Sequence, residues 1–232
     1  MSIEKFKSDA NDALAKFHGL ELIENTGNPF LAGNLDILDG EGTFWHSYSV
    51  EIHYNTRYPS AFPTVFETGG SIRRIADWHI NNDGSCCLDN EFSQQIKCCK
   101  GINLESFISA ELIPWLANQS FRRLTGRYAN GEQSHGDIGR REFFIHELQA
   151  PNFSTWGTGR RERAREKSYP RQSRCFCGSQ KKWRHCHKQI FEKLKPIKGA
   201  ALNWAIQKFT KYVNSGYGFL LALQQHAAAN II

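Results

Sequence analysis

The chain has 232 residues, of which 40% are hydrophobic and 12% aromatic, and a formal net charge of +6. That length buries one sizeable core and leaves room for a small second domain, and the composition excludes a disordered or low-complexity chain. No charged-then-apolar secretion signal opens the sequence, and the longest apolar run near its end, GFLLAL at 218–223, is far short of the roughly 20 residues of a membrane span, so a cytoplasmic protein without membrane contact is expected.

In chain order, a helical pattern runs from Ile3 to Phe17, with Phe6, Ala10, Ala13, Leu14 and Phe17 spaced to share one face. A strand is expected from Phe30 to Leu38, then a hairpin turn at Asp39 to Gly42. A second strand follows, in which Phe44, His46, Tyr48, Val50, Ile52 and Tyr54 alternate onto one face. Pro59 and Pro63 bracket a bend before a short strand, Thr64 to Thr68. From there to Asn103 regular periodicity lapses, as it does in catalytic loops. From Leu104 the set Leu104, Phe107, Ile108, Leu112 and Leu116 returns to helical spacing, with Asn103 as cap and Pro114 as a kink. Helix, antiparallel meander, long loop and helix make an α+β domain.

Charge divides the chain. Residues 1–150 hold 13 Lys and Arg against 20 Asp and Glu, a net of −7, whereas residues 151–232 hold 16 against 3, a net of +13. Gly, Ser, Thr and Pro mix with an arginine run after residue 150. The expected organisation is therefore a domain over 1–150, a basic linker over 151–174 and a small domain over 175–232.

The seven cysteines, an odd number, stand in the clusters SCC, KCCK and CFCGSQKKWRHCH. This pattern does not fit a secreted disulfide framework, and in a reducing compartment it points to metal ligands or nucleophiles. Cys98 and Cys99 lie between Lys97 and Lys100, whose ammonium groups are expected to lower a thiol pKa. The plainer expectation for this pair is one buried and one exposed thiol, and the sharper one is redox sensing or a disulfide with Cys87.

Tyr58, Pro59 and Pro63, then His79-Ile80-Asn81, then Gly84-Ser85-Cys86-Cys87-Leu88-Asp89 follow the leading helix and the meander in a set order. Together they resemble the ubiquitin-conjugating enzyme family, in which a YPxxxP element precedes a histidine-proline-asparagine motif and GxICLD. The resemblance covers residues 1 to 125 and implies a UBC-like fold. It places Cys87 at the thioester-forming cysteine and Cys86 at a buried aliphatic position. It also implies catalytic roles for Asn81 and His79.

The chemistry asks for the same residue types. An acyl-accepting thiol must be accessible, must reach the thiolate and gains from donors aimed at the oxyanion. Gly84 permits an exposing turn, Asn81 offers a neutral amide donor, and His79 can brace the loop through a backbone hydrogen bond. Ile80 stands where the family has proline, and the segment from Asn81 to Cys87 is shorter than in most members, which makes Asn82 an alternative donor. The shortened loop and the stretch from Pro114 to Gly136, which includes His135, look more like the bacterial conjugating-enzyme relatives of antiphage operons.

In the second domain Cys175, Cys177, Cys186 and His187 supply three thiolates and an imidazole, a set that suits tetrahedral zinc. Gly178 and Ser179 allow the tight turn, and His185 competes with His187. The stretch closely resembles the SEC-C zinc motif. Four protein ligands leave no open position, so the expected Zn2+ is structural. The Arg160 to Arg165 run and Lys181, Lys182, Arg184 and Lys188 make this half a surface for an acidic protein or for nucleic acid. Leu202, Ala205, Ile206, Phe209 and Val213 describe an amphipathic helix.

Two functions follow as expectations. In the first, Cys87 accepts the C-terminal acyl group of a ubiquitin-like protein, or of a nucleotidyltransferase with a ubiquitin-like tail, with or without a separate activating enzyme, and passes it to an amine. In the second, the protein is a non-catalytic binding module whose zinc domain recruits a partner.

Overall fold

The computed structural model describes residues 2–25, 27–129, 131, 139, 142, 172–175, 180–186 and 188–189. The chain divides into two units, Met1–His135 and Gly136–Ile232.

The first unit opens with helix α1, Ser2–Leu14. Its spacing turns Phe6, Ala10 and Ala13 fully inward, with Leu14 and the following Phe17 against the same core. Asp9 is buried on this face as well. It takes hydrogen bonds from Lys5 Nζ at 2.6 Å and from the Tyr58 hydroxyl, so its charge is compensated within the core. The Tyr58–Pro59 peptide is cis.

A four-stranded antiparallel sheet follows in the order β1 (Leu20–Ile23), β2 (Phe30–Leu38), β3 (Phe44–His53) and β4 (Thr64–Glu67). β2 fills the expected span, and β4 stops one residue early. The expected alternation of β3 holds for Tyr48, Val50 and Ile52, which are buried, and breaks at the turn. A register shift after Ile37 pairs Leu38 with Phe44, and these two are 54% and 57% exposed. The extra residue of a bulge rotates the strand end away from the core.

β1 had no signal of its own in the sequence. It pairs with β2 where two backbones close up: a Cβ on Gly33 would lie 2.1 Å from the Gly19 carbonyl oxygen, so only glycine fits there.

The core lies between the sheet on one side and α1 with the helices that follow the loop on the other, and it holds Leu31, Ile37, Tyr48 and Ile52 of the sheet with Phe6, Leu104, Phe107, Ile108 and Leu116. Each such large side chain contributes about 1.5–3 kcal/mol on full burial. Helix α2, Glu91–Lys97, interrupts the stretch expected to be irregular; Asn90 caps it, its side chain accepting from the Phe92 and Ser93 N–H groups at 3.1 and 3.0 Å. Asn103 caps α3, Leu104–Phe107, by accepting from Ser106 N–H at 2.8 Å.

A π turn, Ile108–Leu112, joins α3 to α4, Ile113–Thr125. The expected kink at Pro114 takes this form. Proline has no N–H and crowds the carbonyl four residues back, and the widened turn just before it relieves both demands. Among the described residues no helix is long and apolar enough to cross a membrane.

Candidate active site

The segment after β4 builds a small hairpin on the edge of the sheet. A short 3-10 turn, Ala76–Trp78, ends at His79, whose backbone is left-handed (φ 54°, ψ 39°). That reversal starts the hairpin: Ile80 pairs with Cys86, and Asn81 N–H donates to Ser85 O at 2.8 Å. Gly84 N–H closes the turn onto Asn81 O at 2.9 Å, with Gly84 at φ 86°. This is a three-residue loop ending in a glycine bulge, and the left-handed position accounts for that glycine. The hairpin is anchored to β4 by Cys86 N–H donating to Val65 O at 2.7 Å and by a Phe66–Ser85 bridge.

Alternation sorts the two cysteines. Ile80 and Cys86 are paired and buried in the core, and burial pushes the Cys86 thiol up to about 12. Asn81 and Ser85 lie opposite each other on the other face, joined from Asn81 Nδ2 to Ser85 Oγ at 3.0 Å. Cys87, the residue after the paired Cys86, is half-buried. The Ser85 hydroxyl passes the chain on to Asp83 Oδ1 at 2.6 Å, and with the Ser85 N–H it holds the Asp83 carboxyl below its ordinary range. This uses one of the two N–H groups of the Asn81 amide. Asn82 is exposed at the turn.

The backbone of Cys87 is held from both sides. Its N–H donates to His79 O at 2.7 Å, and its carbonyl accepts from Trp115 Nε1 of α4 at 3.1 Å. His79 thus braces the site with its carbonyl, while its ring lies 5.1 Å from that of Tyr128. Beyond Cys87, Asp89 accepts from Lys97 Nζ at 2.8 Å, and Lys97 reaches Glu111 at 2.7 Å. This ties the residues after the thiol to α2 and the π turn. Burial first, and then the Asp89 carboxylate, hold the Cys87 thiol above its ordinary range. At neutral pH this environment favours the neutral thiol over the thiolate.

The Cys98 and Cys99 expectation is corrected in its electrostatics. Cys98 is buried and Cys99 exposed, and burial pushes the Cys98 thiol up to about 11 although Lys97 pulls the other way.

In the second unit, Cys175 and Cys186 fall within the described residues, whereas Cys177, Gly178, Ser179 and His187 lie outside them, as do His135, Arg160 to Arg165 and the helix expected around Leu202 to Val213. Arg174 pairs with Lys182, Cys175 N–H donates to Lys181 O at 2.8 Å, and Cys175 is buried. A 3-10 turn, Trp183–His185, then leads to Cys186. His185 Nε2 accepts from Arg184 Nε at 2.8 Å. Among the described residues no three His, Cys, Asp or Glu side chains group as metal ligands.

Compared with protein-family models, curated proteins and solved structures, the chain matches none.

Trp115, Asp89 and Tyr128 escaped the sequence reading as site residues. Trp115 carried one usable signal: a tryptophan next to the periodic Leu116 brings an indole N–H into the core, and such a donor needs a partner.

Proposed function

We propose that the first unit is a UBC-like acyltransferase of the bacterial conjugating-enzyme type. In this reading Cys87 takes the C-terminal acyl group of a ubiquitin-like protein, or of a nucleotidyltransferase with a ubiquitin-like tail, as a thioester and passes it to an amine. The observation that supports it best is the double backbone clamp on Cys87, His79 O on its N–H and Trp115 Nε1 on its carbonyl. The clamp fixes the backbone of the residue at the end of the hairpin that carries Asn81. In the reaction the Cys87 sulfur attacks the donor's activated acyl carbon, the donor's leaving group departs, and an amine then displaces the thiol as an amide forms. The remaining Asn81 N–H stabilises the oxyanion, an effect of about 2.7–4 kcal/mol where such a donor has been removed.

The second unit is read as a structural zinc domain held by Cys175, Cys177, Cys186 and His187. The donor chemistry suits the metal, and the metal's part is to fix the fold of a short chain segment. Its basic surface takes an acidic protein or nucleic acid, and antiphage defence in the bacterial cytoplasm is the biological setting proposed.

One observation favours the second reading, a binding module: the Cys87 thiol is held above its ordinary range. Co-expression with genomic neighbours separates the two. The enzyme reading expects an adduct released by hydroxylamine, retained in Cys86→Ser, converted to an oxyester or lost in Cys87→Ser, and slow to discharge in Asn81→Ala. An adduct that persists in Cys87→Ala, or none with any neighbour, leaves the binding module.

A further inference from the structure

Residues 1–131 hold 11 basic against 16 acidic side chains, yet five of their six arginines fall in two short segments, Arg73 and Arg74 in one and Arg122, Arg123 and Arg127 in the other. The fold brings these segments together. The Arg122 guanidinium lies 4.6 Å from the Trp78 ring and 4.5 Å from the Tyr128 ring, and it donates to the Asp77 carbonyl. Arg73 lies 5.8 Å from the same Trp78 ring. Arg123 donates to Ser71 O at 3.3 Å. Arg127 lines a cavity of about 400 Å³ with Phe121, Arg122 and Tyr128. Arg74 lines a second cavity, of about 270 Å³, with Ile80 and the turn from Asn81 to Gly84.

Arg73, Arg74, Arg123 and Arg127 are exposed. Among the described residues no carboxylate lies within 4.0 Å of their guanidinium nitrogens. Asp77 and Asp83 are the exposed carboxylates of these segments, and Glu67 is buried on the Ser71 and Ile72 N–H groups. Guanidinium charges gathered on one face with no carboxylate beside Arg73, Arg74, Arg123 and Arg127 repel one another, even in an otherwise acidic domain. An anionic partner relieves that repulsion.

The aromatic rings that would stack nucleobases are already covered, since Arg122 lies against both Trp78 and Tyr128, and the two carboxylates interrupt a phosphate track. What faces solvent is guanidinium, whose fork fits carboxylates. We propose that this arginine surface, which flanks the His79–Cys87 hairpin, binds an acidic peptide segment of the protein whose acyl group Cys87 receives. The assignment of that partner rests on the acyl-transfer reading.

The test uses the full chain and a poly-glutamate peptide carrying a photo-crosslinker, with crosslinks mapped by mass spectrometry. Crosslinks are expected within residues 71–84 and 121–131, and they should weaken with added salt. The triple variant Arg73→Glu, Arg74→Glu, Arg127→Glu should lose them about tenfold, as charge reversal at exposed sites implies. The corresponding triple lysine variant, which keeps the charge and loses the fork, should keep clearly more of them than the glutamate variant, which separates charge from folding. Crosslinks confined to residues 151–232, or unchanged in the glutamate variant, overturn the proposal. So does an oligonucleotide that displaces the peptide and itself crosslinks more strongly at these segments. The crosslinking readout needs no thioester and should survive Cys87→Ala, so crosslinks without an acyl adduct count against the acyl-transfer reading alone. An adduct formed equally well by the glutamate variant counts against the arginine surface alone.

Discussion

The indole N–H of Trp115 donates to the carbonyl oxygen of Cys87 at 3.1 Å, joining α4 to a hairpin residue 28 positions upstream. Replacing Trp115 with Phe removes this donor and leaves most of the ring volume. The expected loss of stability is about 1–3 kcal/mol, because a shielded carbonyl loses its partner and some packing goes with the smaller ring. Urea unfolding measures that loss, and the rate of adduct formation at Cys87 should fall with it. An unchanged rate in a folded Trp115→Phe protein would show that the clamp does not position the thiol.

Cys87 should alkylate slowly at neutral pH. Burial and the Asp89 carboxylate both disfavour its thiolate, so the iodoacetamide rate should keep climbing beyond about pH 8.5, where a free cysteine is half ionised. Asp89→Asn should move the profile down only slightly, because burial is the larger cause. A profile that levels off below that of free cysteine would contradict this environment.

His46 supplies the clearest pH dependence of stability. Its Nε2 accepts from Arg123 Nη1 at 2.9 Å and lies 2.9 Å from Ser71 Oγ; burial first, and then the Arg123 charge, hold its pKa below the ordinary value of 6.5, with Glu67 opposing. A lowered histidine pKa means that the unfolded chain takes up the proton first. This contribution is therefore absent as a penalty above pH 6.5 and grows as pH falls from there towards the folded pKa. The stability difference between wild type and His46→Gln should shift against wild type over that window, and parallel curves would refute the assignment.

Two glycines should fail differently. Gly33→Ala drives a Cβ to 2.1 Å from the Gly19 carbonyl oxygen, backbone against backbone, and should cost several kcal/mol, at the far end of single substitutions. Gly84→Ala meets open space but keeps φ 86°, for which an L side chain costs about 1–2 kcal/mol. Thermal unfolding should rank Gly33→Ala well below Gly84→Ala. The reverse order would place the tight contact at the hairpin.

Purified protein should carry about one zinc per chain, the complement of a closed four-ligand site. Cys175→Ser with Cys177→Ser should abolish it while the far-ultraviolet signature of the first unit survives. Zinc that survives both changes would remove these residues from the ligand set.

The sequence disclosed elements whose own residues carry a period. β2 was legible because Leu35 and Ile37 alternate with Asn34 and Asp36 before the turn residues at 39–42, and α1 because Phe6, Ala10 and Ala13 repeat at helical spacing. β1 and α2 were not legible. The first is four residues held by the backbone approach at Gly33, and the second buries only Phe92 and depends on the Asn90 cap. The hairpin could be read as a motif, but not what holds it. Trp115 and Tyr128 act on it from distant positions, and Asp89 stood in the motif without a sign of its pairing with Lys97. The Leu38–Phe44 pair escaped because a bulge changes the face without changing the alternation of residue types.

The residues that present Cys87 also cover part of one edge of the sheet. β4 is the last strand, and Ser85 and Cys86 occupy the side that would otherwise leave a bare row of backbone donors and acceptors. An uncovered strand side is a template for another chain. Loosening this hairpin therefore has a second effect besides misplacing a thiol: it gives neighbouring molecules a strand to pair with. Substitutions around Ile80 and Ser85 act on colloidal behaviour and chemistry together, and a loss of activity there has to be read beside the state of association.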